Sequence, residues 1–452
     1  MSNHLVAIFG GAVSGAEAAY QFIQRNIPCV VFDQNTLPYG KIEDGLPKWH
    51  NKLRDQEEEK INEKLSHELV RFVPHIRLGR EISFEELVNW GFSAVILAIG
   101  AWRDRPLPIE GIDDYVDKGL IYQNSFIYWF NHFHEPNYNG PQFEALDNTI
   151  VVGGGLASLD VLKVLMILTV QRALKEKGHE VNMFQLDRSI AKVLDQLGYT
   201  LEDLGLKGAT LYYRRRIKDM PLSPTQADSP EKMEKVRMIQ EKILNNYQSK
   251  YLFNVKPLHA AVDKIVENGR LVGLAFKQTE LVDERIVPIA GPETFVWASQ
   301  VISSIGSIPQ LIKGIPANGQ VFDINENNCC QLEGYPNVFA VGNTVTGRGN
   351  IKDSMKHSQI VTKEWIDTYL DTELSGAVYG DAFETRALDT AEQVESIANK
   401  ISHSPSLSDE KLNELHERVS ELQQLSGYEG DFRAWVKTHL PVRLEDLLGE
   451  TH

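Results

Sequence analysis

The chain has 452 residues, with 46 Lys and Arg against 62 Asp and Glu and a formal net charge of −16. At roughly 100 to 200 residues per domain that length predicts two or three domains, and 42% hydrophobic residues, 24% charged residues and 33 glycines exclude fibrous, collagen-like and wholly disordered chains. The acidic balance has the wrong sign for a surface that binds phosphate backbones or anionic lipid throughout, so neither nucleic acid nor membrane is expected as a partner, local basic patches aside.

The three cysteines are Cys29, Cys329 and Cys330. Without a CxxC pair they provide no disulfide scaffold, cysteine metal site or paired-thiol relay, and adjacent thiols close only a strained ring, so all three are read as inert. The first apolar run enters a structural motif directly, with no basic region and cleavable stretch before it, which leads to an expected cytoplasmic location. The most apolar later run, VLKVLMILTV between Asp160 and Arg172, is too short to span a bilayer.

Residues 5 to 34, LVAIFGGAVSGAEAAYQFIQRNIPCVVFDQ, give a short apolar run, a glycine turn, an alanine-rich helical stretch and a second apolar run, the order of a βαβ unit. A charged helix is expected from Lys52 to Glu68, an apolar strand from Ala94 to Ile99, and an aromatic-rich packed connector from Ile121 to Phe133. A second βαβ unit runs from Thr149 to Gly178, TIVVGGGLASLDVLKVLMILTVQRALKEKG. After it come ATLYYRRR, a polar stretch around residues 223 to 230, a charged helix near Glu231 to Asn246, β-like segments up to Ser304, and NVFAVGNTVTGRGNI from Asn337. From Asp371 onward there are 17 acidic and 7 basic residues, and Leu412, Leu415, Val419, Leu422 and Leu425 recur at helical spacing. That spacing predicts short amphipathic helices in place of a disordered acidic tail.

In the first turn Gly10, Ala12 and Gly15 fill the three positions of a dinucleotide fingerprint: one allows the tight turn, one lets backbone approach a pyrophosphate, one lets helix pack on strand. The helix behind them directs amides and its positive end at the phosphates. Asp33, ending the second strand about 20 residues on, is placed to accept hydrogen bonds from an adenosine ribose. The second turn carries Gly153, Gly155 and Ser158, and its strand partner ATLYYRRR puts Arg214, Arg215 and Arg216 where the first unit has its acid. A ribose 2′-hydroxyl suits a carboxylate, whereas a 2′-phosphate suits guanidinium groups, so NADP is favoured over NAD. The other reading of the triplet is a solvated basic strand end or a docking patch for an acidic partner.

Four segments in register, PYGKIEDGLPKWH, VILAIGAWRDRPLPIEG, NSFIYWFNHFHEP before TIVVGGG, and GNTVTGRGNI, resemble the adrenodoxin reductase type of FAD-dependent ferredoxin-NADP reductase. YRRRIKDMP, with Tyr213, Arg214, Arg215, Met220 and Pro221, is similar to the pyridine-nucleotide motif of the glutamate synthase small subunit. The resemblance covers roughly residues 1 to 370. It implies that Gly10, Ala12, Gly15 and Asp33 hold the ADP half of FAD, that Ile82 meets adenine through its backbone, and that the turn of Ala98, Ile99 and Gly100 closes the FAD domain. It further implies that Gly342, Asn343, Gly349, Asn350 and Ile351 meet the pyrophosphate, ribityl chain and flavin ring. Asn343 stands where relatives carry tryptophan or aspartate. For NADP it implies Gly153, Gly155, Leu156, Ala157, Arg214 and Arg215, with Arg105 a further candidate, and His50 matches a histidine near the flavin, the candidate catalytic residue.

The expected fold class is therefore α/β, two Rossmann-like domains in which a discontinuous FAD domain (1–115 and 330–370) brackets an NADP domain (116–329). A helical acidic extension (371–452) takes the place of the family's usual carboxy-terminal segment, and an inserted helical stretch is expected around Ile190 to Leu204. The resemblance implies hydride passing from NADPH, with NADH less favoured, to FAD. The protein supplies orientation and electrostatics. With no internal dithiol, the electrons go to an external acceptor, a ferredoxin-like iron–sulfur protein being the first choice, although net acidity argues against an acidic one unless a basic patch around Lys48, Lys52, Arg54 and the arginine triplet overrides it. The competing readings are an electron-input subunit of a larger complex, a nucleotide-binding redox sensor without rapid turnover, and, less favoured, a flavin monooxygenase. No metal is expected, since His132 and His134 lack a third ligand at a convincing spacing, and no nucleophile elbow, P-loop lysine or iron–sulfur cysteine set occurs.

Overall fold

A computed structural model of the chain describes residues 3–222, 230–282, 285–345 and 374–449. The described residues divide into two compact units: the first comprises 3–103, 307–345 and 380–449, the second 104–222, 230–282, 285–306 and 374–379. The chain leaves the first unit and returns to it, as a discontinuous domain does. The exchanges fall at 103/104 and 306/307, where the sequence reading had put them at 115/116 and 329/330. The expected flavin contacts Gly349, Asn350 and Ile351 lie outside the described residues.

The first unit opens with β1 (Val6–Phe9), α1 (Val13–Ile23) and β2 (Cys29–Phe32). Both strands are short apolar runs buried along their whole length, the mark of a parallel sheet covered on both faces. The alanine-rich α1 has high helix propensity, and the chain turns away after it at Asn26, whose φ of 53° suits asparagine. Helix α2 (Asn51–Leu65) and β3 (Val70–Val73) follow, then β4 (Ala94–Leu97). β1 lies parallel between β2 and β4, β2 pairs β3, and β4 pairs the returning strand Val338–Ala340, again parallel. Two short antiparallel strands, Gln331–Leu332 and Ile324–Asn325, complete seven strands at that edge. Strand order therefore reverses between β1 and β4, the crevice where open α/β sheets bind ligands at the carboxyl ends of their strands.

The acidic C-terminal segment from residue 380 belongs to this first unit; it is not a separate appendix. Helix Asp409–Leu425 buries Leu415 and Val419 in the same core as β3 and β4. Leu412 and Leu422 pack beside them, whereas Leu425, predicted on the same stripe, is exposed. β3 is the last strand in its sheet, and this helix covers its outer edge. Gln423 Nε2 donates to the Phe72 carbonyl at 2.8 Å, while the Arg71 guanidinium donates to the His416 carbonyl, Ser420 Oγ and Gln423 Oε1. Helix Phe432–His439 follows; Phe432 and Tyr428 meet the Phe72 ring edge-on, and Trp435 Nε1 donates to the Thr36 carbonyl. Buried polar contacts fasten the last turn: Arg443 bonds to Glu43 and Glu58, and Arg54 donates to Glu445 at 2.6 Å.

In the second unit β5 (Thr149–Gly153), α3 (Leu156–Glu176) and β6 (Thr210–Tyr213) repeat the strand–turn–helix–strand order. Its five-stranded sheet is parallel, in the order Leu120–Tyr122, Gln300–Ser304, β5, β6, Asn254–Pro257. ATLYYRRR is thus the strand beside the second glycine turn. The long connection between α3 and β6 contains helices Met183–Arg188 and Ile190–Leu197, the second closed by Gly198 in the left-handed region. An antiparallel sheet built on strand Arg270–Val282 packs Leu271, Leu274 and Phe276 into the unit's core. In helix Gln123–His132 the side chains of Phe126, Trp129 and Phe130 are buried, while Tyr128 reaches the surface. Among the described residues no helix is long and apolar enough to cross a membrane.

Candidate dinucleotide sites

A cavity opens in the first unit at the carboxyl ends of β1 and β4, lined by Phe9, Gly10, Ala12, Ser14, Asp33 and Ala98–Trp102 among others. Three segments meet there at backbone distance. Gly10 has φ of 96°, and a Cβ on it would fall 2.4 Å from the Ala98 carbonyl oxygen. Gly15, from α1, faces the Gly10 carbonyl so closely that no side chain fits between them, the helix-on-strand role assigned to the third fingerprint position. Gly342, with φ of 61°, lies against Ser14 in the first turn of α1, and the Gly100 amide donates to Thr344 Oγ1 at 3.0 Å. The strand that returns late in the chain thus forms part of the cavity, and Asn343 lines it.

Asp33 is buried. Its two carboxylate oxygens accept from the amides of Gly11, at 2.8 Å, and Asn35, at 2.9 Å. Burial pushes its pKa up to about 6, against the pull of those two N–H groups. The carboxylate therefore fixes the glycine turn from behind while also lining the cavity. The cavity wall contains five cations, Lys41, Arg77, Arg80, Lys313 and Arg386, against the single carboxylate of Asp33. In a chain with net charge −16 such a local excess of positive charge suits a polyanionic ligand. Helix α1 supports the same reading. Its N-cap, Ala12, has no capping side chain and its first turn has no acid, so the first amides and the positive end of the helix are turned toward the cavity with no side-chain anion upon them.

Two residues singled out from the resemblance, Ile82 and His50, are buried and are not among those lining the cavity. The Ile82 carbonyl accepts from the Gly79 amide at 2.7 Å, and the cavity is lined on that side by Ile76–Arg80. His50 is buried in the turn Lys48–His50, with the Trp49 ring edge-on at 6.3 Å.

The second unit has its own turn. Gly153 leaves no room for a side chain against Ser158 Oγ and the Ser304 carbonyl, and Ser158 Oγ donates to that carbonyl at 3.2 Å. A Cβ on Gly154 would strike the Tyr213 ring. Gly155, by contrast, faces open space, and Leu156 and Ala157 begin the 21-residue α3 without a capping side chain. An anion placed there would meet free helix amides. At the end of β6 the three arginines separate: Arg216 grips Asp219 through Nε at 2.6 Å and Nη2 at 3.0 Å. Arg214 and Arg215 engage the protein through their carbonyls, which accept from Thr279 Oγ1 and the Leu258 amide. Among the described residues neither guanidinium has a carboxylate partner. Arg105 lies on this unit too, its amide donating to the Gly306 carbonyl.

No family model matches the chain. Over 361 residues it is 28% identical to the NADPH-Fe(3+) oxidoreductase subunit beta of Geobacter sulfurreducens, covering 77% of this chain and 44% of that protein. The chain therefore spans less than half the length of this relative. It is 25% identical over 328 residues to the mitochondrial NADPH:adrenodoxin oxidoreductase of Arabidopsis thaliana, covering 68% of this chain and 62% of that one. Among solved structures, Mycobacterium tuberculosis FprA in complex with NADPH superposes with a TM-score of 0.61 at 18% identity, over 93% of this chain and 90% of FprA. The fold is that of FprA. The likeness to an NADPH:adrenodoxin oxidoreductase, carried in the sequence by four short motifs, extends over 68% of the chain.

Several cavity residues carried no signal of their own. Lys41, which donates to Ser307 Oγ at 3.1 Å with its ammonium 5.6 Å from the Trp102 ring centroid, and Trp102 itself sit inside the quoted motifs but pass as ordinary loop residues. Phe383 and Arg386 line the cavity from helix Leu374–Ser402, beyond the reach of the resemblance. The metal question rests on geometry: His132 Nδ1 lies 2.7 Å from Glu135 Oε1, and no group of three metal-ligating side chains occurs among the described residues.

Proposed function

We propose that this chain is an FAD-dependent NADPH oxidoreductase that passes electrons from NADPH to an external acceptor, a ferredoxin-like iron–sulfur protein. The observation that carries the proposal is the first unit's cavity, where backbone-close glycines, an uncapped helix start and five cations against one carboxylate converge at a strand-order reversal. Those residues fit the ADP half of FAD: Gly10, Ala12 and the start of α1 at the pyrophosphate, Asp33 toward the ribose, and the Gly342–Asn343 turn farther along the same molecule. FAD, when bound, supplies hydride acceptance and the release of electrons one at a time. The chain would bind and orient it. The second unit is the proposed NADPH site, with Gly155, Leu156 and Ala157 at the phosphates and Arg214 and Arg215 at the 2′-phosphate, a dianion that two fork-shaped guanidinium groups bind better than one carboxylate would.

The visible spectrum of the purified protein, followed by anaerobic reduction with NADPH and NADH in parallel, tests the reading. A yellow protein bleached far faster by NADPH supports it. A colourless protein that takes up no added FAD sinks it. An electron-input subunit is the second reading, supported by the word "subunit" in the name of the Geobacter relative and by that protein's greater length. A stable complex surviving gentle purification favours it over a freely diffusing reductase.

A further inference from the structure

Of the five cations lining the first unit's cavity, four come from the segments that build its sheet and one, Arg386, comes from the C-terminal segment. Their engagements differ. Lys41 donates to Ser307, Arg77 to Gln310 and Arg80 to Glu81, and Lys313 stands exposed. Among the described residues the Arg386 guanidinium makes no ion pair and no hydrogen bond, although burial disfavours its charge and Asp389 offsets that only in part. Its Cδ lies 3.9 Å from where a Cβ on Gly342 would be, and Gly342 in turn packs on Ser14 in the first turn of α1. A half-buried cation is thus held beside the uncapped N-terminus of a helix, where positive charge is unfavourable unless an anion joins it. Phe383, one turn earlier on the same helix, lines the same cavity.

We propose that Arg386 is a positioning residue for the dinucleotide's pyrophosphate, clamping it against the start of α1, so that the C-terminal helix is a working wall of the cofactor site. This rests on the reading of the cavity as an FAD site. The helix would then couple cofactor retention to the packing of the C-terminal segment.

The test uses the full chain stripped of cofactor, with FAD and ADP as separate calorimetric titrants, for the wild type and for Arg386→Ala, Arg386→Gln and Arg386→Lys, alongside the thermal midpoint of each cofactor-free protein. Expected are ~10- to 100-fold losses for both titrants in the Ala and Gln variants, the worth of a charge-assisted hydrogen bond, a smaller loss in the Lys variant, and midpoints close to the wild type. Undiminished FAD affinity in the Ala and Gln variants overturns the assignment while leaving the FAD site standing. Loss for FAD with none for ADP overturns the pyrophosphate contact in favour of one to the flavin. A wild type that binds neither titrant overturns the FAD reading itself and this inference with it. Should the Ala variant fold poorly, the Gln variant, close in shape, decides.

Discussion

A Cβ built on Gly15 would lie 1.7 Å from the Gly10 carbonyl oxygen, so α1 rests on the end of β1 with no side chain between them. Since the obstacle is backbone, relief requires the helix to move. Gly15→Ala is expected to lose about 1–3 kcal/mol of stability, the usual result of overpacking a tight contact, and to weaken FAD binding as the helix amides shift. Urea unfolding and FAD titration check both, and unchanged values would mean that the helix slides at no cost.

The C-terminal helices provide a paired comparison. Leu415 is 1% exposed and Leu425 is 83% exposed, although both stand on one predicted stripe. Leu415→Ala should cost about 2–5 kcal/mol, the range for deleting buried methyl groups, while Leu425→Ala should stay within about 0.5 kcal/mol of the wild type. Equal effects in chemical denaturation would mean that the helix does not pack on the sheet as described.

Arg214 and Arg215 are expected to act on the cofactor and Arg216 on the fold. Arg214→Ala with Arg215→Ala should weaken NADPH about 100-fold and NADH less than about threefold, because only the former carries the 2′-phosphate that guanidinium groups bind bidentately. Arg216→Ala, whose partner is Asp219, should leave the ratio of the two affinities unchanged. Steady-state kinetics with both nucleotides distinguishes these outcomes, and equal losses in the double variant would remove the 2′-phosphate assignment.

The contribution of Glu58 to stability should fall as the solution turns from mildly acidic to mildly basic. Burial pushes the Glu58 carboxyl up to about 8, against the pull of Arg443 and with the neighbouring Glu43 adding to the rise. Between the ordinary carboxylate pKa and about 8, the folded chain holds a proton at Glu58 that the unfolded chain has released. Stability from this group is therefore complete below that window and is lost as pH rises through it. Glu58→Gln, which keeps the shape without the titration, should flatten the slope of unfolding free energy over that window. An unchanged slope would acquit Glu58.

Much of the architecture was readable in the sequence, because parallel strands buried on both faces are written as continuous apolar runs such as VAIF and CVVF, and a glycine turn follows the first of them. The strand beside the second turn was legible for the same reason, and so was the contrast between Asp33 and the arginine triplet. Three things were not. Periodicity placed Leu425 with Leu415, but a stripe on a helix does not tell where the helix stops being covered. The acidic composition after residue 371 suggested an appendix, since net charge says nothing of the paired burial of Arg443, Glu43 and Glu58. Arg386 carried no signal in the sequence, because its meaning comes from Gly342 and Ser14, which lie far from it along the chain.

The carbonyl that Gln423 caps on Phe72 belongs to a strand made 351 residues before the side chain that caps it. During synthesis the sheet is thus exposed on one flank for more than three hundred residues, an invitation to pair with a neighbouring nascent chain. The first unit can therefore reach its finished form only after helix Asp409–Leu425 has been made, so its cavity matures later than the strands that line it.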